Sequence, residues 1–379
     1  MNGQNGRTEE EECLLRMIEA ICSGHEVPQK VRYVDWDNVY KLADYHKVAN
    51  LIYVGLIGME IDITDKTREK YFERYQESLL IGEKYEKEKE KILIFFEQSK
   101  IHCMLFSSYF ARSYYPMPEM QMLGRLEFYV DYQKMQDIDE VLRRLGYKKN
   151  ERNDEFEENG IEYKKSNGLQ IVIKPYATVT GKCKKINKKG LKKVPLLLGK
   201  KYIHQWDQNA LYVNYIKELA DGFASGEISV HHILDFWFYY QGVYQNLQWK
   251  YIDGELSKYQ LMNFERGLKE LIHLWFGQQV TAENPVLYYA MEEFVLSKGV
   301  QGRDTVKKVL PLIIEFEKKQ KRKERKKKKK EELQWLFPKK EYMLSLFPKL
   351  QKYPFLLPFY WVYRFYCISK KKKKNQKDS

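Results

Sequence analysis

The stretch Gly124-Arg125-Leu126-Glu127-Phe128-Tyr129-Val130-Asp131 has the pattern of a strand that carries chemistry. Side chains two residues apart on a strand point to the same side. Two carboxylates at that spacing hold magnesium, which bridges a polyphosphate and steadies the in-line transfer of a phosphoryl or nucleotidyl group. Here the two positions read Arg125 and Glu127. A guanidinium about 4 Å from a divalent cation would repel it by several kcal/mol at an intermediate dielectric. Ordinary two-metal binding is therefore not expected, no metal ligands are assigned, and Glu127 remains the one candidate catalytic group. The simplest structural expectation is an Arg125–Glu127 ion pair on one strand face.

Several elements must hold that strand in place. Residues 9–60 predict short helices, with Val39, Leu42, Ala43 and His46 on one face. A long helix follows from Asp65 to Lys100, with Phe72, Tyr75, Leu79 and Gly82 on its inner stripe and the Glu83–Lys87 pair on its charged surface. The period then changes. Residues 101–106 read as a buried strand, 108–115 as a short helix, 126–131 as an alternating strand, and 133–147 as an amphipathic helix that buries Met135, Ile138, Val141, Leu142 and Leu145. The Asn167-Gly168 pair between two apolar-patterned runs predicts a hairpin with a type I′ turn. From Asp207 the pattern is helical again, and the Phe236, Trp237, Tyr239 and Tyr240 cluster is read as core packing. The fold class expected is α+β, a small mixed sheet embedded in a largely helical protein. Its divisions are a helical region at 1–100, an α/β core at 101–200, a helical domain at 201–317, a basic linker or helix at 318–332, and an aromatic segment with a Lys-rich tail at 333–379.

With 44% hydrophobic and 15% aromatic residues among 379, the chain has ample material for buried cores and is not a disordered protein. The formal charge of +14 suggests nucleic acid until it is located. Residues 318–330 hold eleven basic residues against one Glu, and the tail from Lys370 holds six Lys against one Asp, which leaves the rest of the chain near neutral. These two runs are solvated flanks or contact an acidic partner, RNA or an anionic membrane surface. The longest apolar stretch, 353–368, is shorter than the ~20 residues of a spanning helix and contains two prolines and Arg364, so no transmembrane segment is expected. Five scattered cysteines without a CxxC pair indicate neither a disulfide framework nor a zinc site. The polar, acidic start lacks a signal peptide's features, and a reducing cytoplasm is the expected location.

Other motifs fail on their chemistry. Residues 179–185, VTGKCKK, lack the earlier glycine and the Ser/Thr of a phosphate loop, and 299–304, GVQGRD, have too few glycines for a dinucleotide turn. His231 and His232 are adjacent and cannot share one helix face, which makes them a poor metal site. His46 is read as a partly buried core histidine.

Residues 36–53 (WDNVYKLADYHKVANLIY), 108–131 (SYFARSYYPMPEMQMLGRLEFYVD), 230–240 (VHHILDFWFYY) and 335–365 (WLFPKKEYMLSLFPKLQKYPFLLPFYWVYRF) together resemble the uncharacterised bacterial nucleotidyltransferase family. That resemblance implies a nucleotidyltransferase-type core at 101–200. It also implies a strand-end turn at Phe106-Ser107-Ser108 and an Asp-x-Asp pair where this chain has Arg125 and Glu127. A further acid is implied on a later strand, where this chain has Val172 and Lys174. Against the family's pattern Gly124 remains, Gln121 stands at the Arg position, and Ser108 keeps a hydroxyl for a phosphate. Three functions follow. The first is a degenerate member, a pseudoenzyme, that binds nucleotide or phosphate through Ser107, Ser108, Arg125 and Lys174. The second is an active enzyme using magnesium to move NMP to a protein, RNA or small-molecule hydroxyl. The third is a structural partner docking through the basic runs and aromatic segment.

Overall fold

Alternation over 126–130 is realised as strand β2 (Leu126–Val130), and the run before it as β1 (Cys103–Leu105). The computed structural model describes residues 7–25, 34–57, 59–106, 108–131, 134–150, 160–175, 191, 194–277, 281–296, 337–338, 343, 347 and 354–361. The chain divides into two units, Met1–Ile313 and Ile314–Ser379. The expected elements of the first are present. Three short helices, α1 (Glu9–Ser23), α2 (Trp36–Tyr45) and α3 (Ala49–Leu56), precede the long α4 (Asp65–Gln98). Then come β1, α5 (Ser108–Ala111), β2, α6 (Met135–Arg144), β3 (Tyr147–Lys149), β4 (Ile161–Lys165), β5 (Gln170–Pro175) and β6 (Ile203–His204). Helices α7 (Gln208–Ser225), α8 (Val230–Val243), α9 (Trp249–Tyr259), α10 (Met262–Phe276) and α11 (Pro285–Leu296) complete the described part.

The strands form one mixed sheet in the order β3-β4-β5-β2-β1-β6. β1 runs antiparallel to β2 and parallel to β6, while β2 runs parallel to β5 with Glu127 opposite Val172 and Tyr129 opposite Lys174. Strands β3 and β6 are additions to the expected set; both are too short to show an alternation of their own. Even-numbered residues of β2 join Cys103, Leu105, Ile161, Tyr163, Ile171 and Ile173 in the core against α4 and α6. The odd-numbered face therefore carries Glu127 and Tyr129, along with Val172 and Lys174 of β5.

Helix α4 departs from the expected stripe. Its inner face is Tyr71, Ser78, Gly82, Tyr85, Ile92 and Phe96, whereas Phe72 and Leu79 are 39% and 42% exposed. Carbonyl groups of the loop before β2 account for the rotation. Ser78 donates to Glu119 O at 2.6 Å and Tyr85 donates to Gly124 O at 2.7 Å, and unpaired buried carbonyls cost more than two apolar side chains left partly wet. Glu88, also inward, binds Tyr147 Oη at 3.1 Å and Lys165 Nζ at 2.9 Å, fixing β3 and β4 to the same helix.

The Asn167-Gly168 pair does close the β4–β5 hairpin, but not as type I′. Lys165 O accepts from Gly168 N at 2.9 Å, Gly168 alone of the pair has positive φ (+88°), and Lys165 N donates to Leu169 O at 2.9 Å. This is a type I turn followed by a left-handed glycine, which adds one residue to the loop. At the other end of β4, Gly160 has φ +82°, and a Cβ there would lie 2.6 Å from Ile173 O and 2.9 Å from Lys174 Cγ. Gly160→Ala should lower the urea midpoint by the equivalent of about 1–3 kcal/mol, since both the conformation and the contact with a backbone oxygen are unfavourable. An unchanged midpoint would mean that the backbone beside Lys174 yields freely.

Cys13, Cys22 and Cys103 are free thiols, and Cys183 and Cys367 lie outside the described residues. So do the basic runs at 318–330 and 370–379, and both loops tested for phosphate or dinucleotide binding. Among the described residues no helix is long and apolar enough to cross a membrane. In the second unit Trp361 Nε1 donates to Pro338 O at 3.2 Å and its ring meets Phe337 edge-on.

Candidate functional site

Hydrogen bonding between strand ends sets the site. Phe106 N donates to Glu127 O at 2.8 Å, which ties the end of β1 to the start of β2. Arg125 and Glu127 project to the same side, as the spacing requires, and Arg125 Nε donates to Glu127 Oε1 at 2.6 Å. The expected ion pair is therefore formed. The second oxygen, Glu127 Oε2, lies 2.9 Å from Lys174 Nζ, brought alongside by the parallel β2–β5 register.

Lys174 in turn donates to Glu218 Oε2 at 3.1 Å, and Tyr129 Oη donates to Glu218 Oε1 at 3.0 Å. Glu218 comes from α7, whose first turn is capped by Asp207 and which ends at Gly226 in a left-handed conformation. Phe106, Tyr129 and Trp206 pack edge to face around the lysine, with its ammonium 5.0 Å from the Phe106 ring centre, and Trp206 Nε1 is anchored on Leu105 O at 2.7 Å. Acid and base thus alternate across the sheet face as Arg125, Glu127, Lys174 and Glu218.

Burial differs sharply along this row. Glu127 and Lys174 side chains are 7% and 10% exposed, Glu218 31%, and Arg125 46%. Burial alone would raise the Glu127 carboxyl, but the Lys174 and Arg125 charges outweigh it and hold the group below the usual carboxylate range. Burial would likewise lower Lys174, and Glu127 and Glu218 together raise it instead. Both groups are charged near neutrality. Arg125 has a second, looser neighbour in Glu162, whose Oε1 is 3.9 Å from Nη1.

Of the other residues singled out from the sequence, Ser107 lies outside the described residues, and Ser108 opens α5. Gln121 is buried away from Arg125, donating from Nε2 to Asp235 Oδ1 at 3.0 Å, and Tyr115 Oη donates to the same oxygen at 2.6 Å. Asp131 Oδ1 accepts from Leu191 N and takes no part in the row. His46 is a buried histidine whose Nδ1 accepts from Val230 N at 3.4 Å. His231 and His232, although adjacent, do converge: both Nδ1 atoms lie within 3.3 Å of Ser229 Oγ and their rings are 3.7 Å apart, because side chains in a first helical turn fold back on the N-cap.

Glu218, Tyr129, Trp206 and Asp235 escaped the sequence reading. For Tyr129 a signal existed, since it alternates in phase with Glu127. Asp235 showed itself as one acid inside the apolar run of α8. Glu218 had none beyond its place in a helical stretch.

Magnesium, implied by the resemblance, does not fit these residues as they stand. Each oxygen of Glu127 already faces a cation of the protein, and among the described residues no three His, Cys, Asp or Glu side chains converge as a metal site.

A mixed sheet with helices on one face and a charged row on the other, set within a helical chain, defines an α+β protein. Residues 32–277 match the family described as "Uncharacterised nucleotidyltransferase", and the chain belongs to that family. No curated protein matches the chain. Among solved structures, the solution structure of the antibiotic-resistance factor ANT(2'')-Ia is similar at 12% identity and a TM-score of 0.34, covering 51% of this chain and 97% of its own.

Proposed function

We propose that this protein is a nucleotidyltransferase-family member that has lost metal-dependent transfer and binds nucleotide or phosphate through Arg125. The observation that carries this reading is the pairing of both Glu127 oxygens with Arg125 and Lys174 at 2.6 and 2.9 Å. A carboxylate so engaged does not seat magnesium, and without the metal the in-line transfer lacks its main charge stabilisation. Arg125 spends its Nε on Glu127, while among the described residues the ion-pair neighbour of Nη1 is Glu162 at 3.9 Å, and nearly half of the side chain faces water. That edge of the guanidinium is the part of the site able to fork onto phosphate oxygens. Lys174 holds Glu127 from beneath, its ammonium in contact with both Glu127 and Glu218, so the phosphate contact is left to Arg125.

Calorimetry with ATP in excess EDTA tests the reading. Binding is expected without metal, and Arg125→Ala should weaken it at least about tenfold, as loss of a charge-assisted bond of about 1.5–3 kcal/mol implies. Two results would count against it: no heat from the wild type, or incorporation of labelled nucleotide into any acceptor with manganese that Glu127→Ala abolishes.

A further inference from the structure

We infer that Lys174 is a tethered replacement for a divalent cation, and that Glu127 and Glu218 form a latent cation seat which opens when the lysine is removed. The Lys174 ammonium lies 2.9 Å from Glu127 Oε2 and 3.1 Å from Glu218 Oε2. Two carboxylates carried by separate elements, β2 and α7, are thus aimed at a single point, and a cation already occupies it. Each is oriented from behind: Arg125 Nε holds Glu127 Oε1 at 2.6 Å and Tyr129 Oη holds Glu218 Oε1 at 3.0 Å. Their facing oxygens are therefore positioned by groups other than the lysine. Phe106, Tyr129 and Trp206 wall the point with aromatic rings and limit its contact with water.

Removing the ammonium would leave two anions facing each other across a lysine-sized gap with low exposure. Like charges so placed repel, and a small hard cation relieves them by binding one or two carboxylates while keeping waters for its remaining positions. Neither carboxylate would lose its orienting partner. Arg125 stays on the far oxygen of Glu127, so the site formed would be weaker than one of unopposed acids.

The full-length chain and two variants, Lys174→Ala and Lys174→Ala/Glu218→Gln, decide the matter with manganese alone, read by electron paramagnetic resonance and by thermal melting. Wild type should show no saturable binding up to about 1 mM. Lys174→Ala should take up one manganese at least about tenfold more tightly and gain melting temperature with it, since a ligand bound only by the folded state stabilises it. The double variant should lose both effects. A folded Lys174→Ala that binds no better than wild type overturns the inference, as does a double variant that binds equally well. Should Lys174→Ala prove unfolded without metal, circular dichroism on adding manganese takes over: recovery of helix is the expected result, and its absence overturns the inference. No nucleotide enters these measurements, so their outcome is independent of whether the protein binds one.

Discussion

Glu127→Ala is expected to destabilise the protein by about 3 kcal/mol, the lower end of the cost of removing one partner from a buried ion pair. The substitution leaves Lys174 buried with one carboxylate in place of two, and Arg125 without the acceptor of its Nε. Arg125 is half exposed and recovers water, so the loss falls mainly on Lys174. A urea midpoint lowered with unchanged slope would register it. Pairing Glu127→Ala with Lys174→Met should cost less than the two single effects added, because the double variant no longer strands a charge. Acid has a parallel effect. The Glu127 carboxyl is depressed in the folded state by Lys174 and Arg125, so its contribution is complete above the ordinary glutamate range and disappears as pH falls through the depressed value. A Glu127→Ala protein as stable as wild type would show the charged row to be incidental to the fold.

Asp235→Asn should act in the opposite direction, stabilising the protein above neutrality. Asp235 is fully enclosed under the loop that leads into β2, and both of its partners, Tyr115 Oη and Gln121 Nε2, are neutral. Burial pushes its carboxyl from the ordinary 3.8 up to about 7, with the Tyr115 and Gln121 hydrogen bonds holding it back only in part. A carboxyl raised in the folded state gives up stability as pH climbs from the unfolded value through the folded one. A shift of that size corresponds to about 4 kcal/mol between pH 4 and pH 7.5. Asparagine can still accept from Tyr115 and carries no charge to bury. The stability difference between Asp235→Asn and wild type should therefore grow with pH and level off above about pH 7.5. A difference that stays flat from pH 5 to pH 8 would mean that Asp235 is ionised at an ordinary pKa. Its two partners, Tyr115 and Gln121, stand at either end of the stretch that leads to Gly124 and Arg125.

Local patterns set much of this molecule. The alternation that runs from Arg125 into β2 set which side chains share a face, and so brought Arg125 onto Glu127 without reference to any other part of the chain. Apolar spacing in α6 and the Asn167-Gly168 turn likewise announced their elements, since periods of 3.6 and 2 and a glycine's positive φ are properties of a few consecutive residues. Other features depended on partners far along the chain. Helix α4 presents Ser78 and Tyr85 inward instead of Phe72 and Leu79 because distant loop carbonyls need donors. Lys174 reaches Glu127 only through the β2–β5 register, and Glu218 joins them only because α7 crosses that face of the sheet. The sequence by itself determined that a base stands where an acid was needed. Whether the second base, Lys174, is spent on carboxylates was decided by tertiary structure, because its pairing with Glu127 and Glu218 depends on distances of about 3 Å between groups whose separation in sequence says nothing of their separation in space.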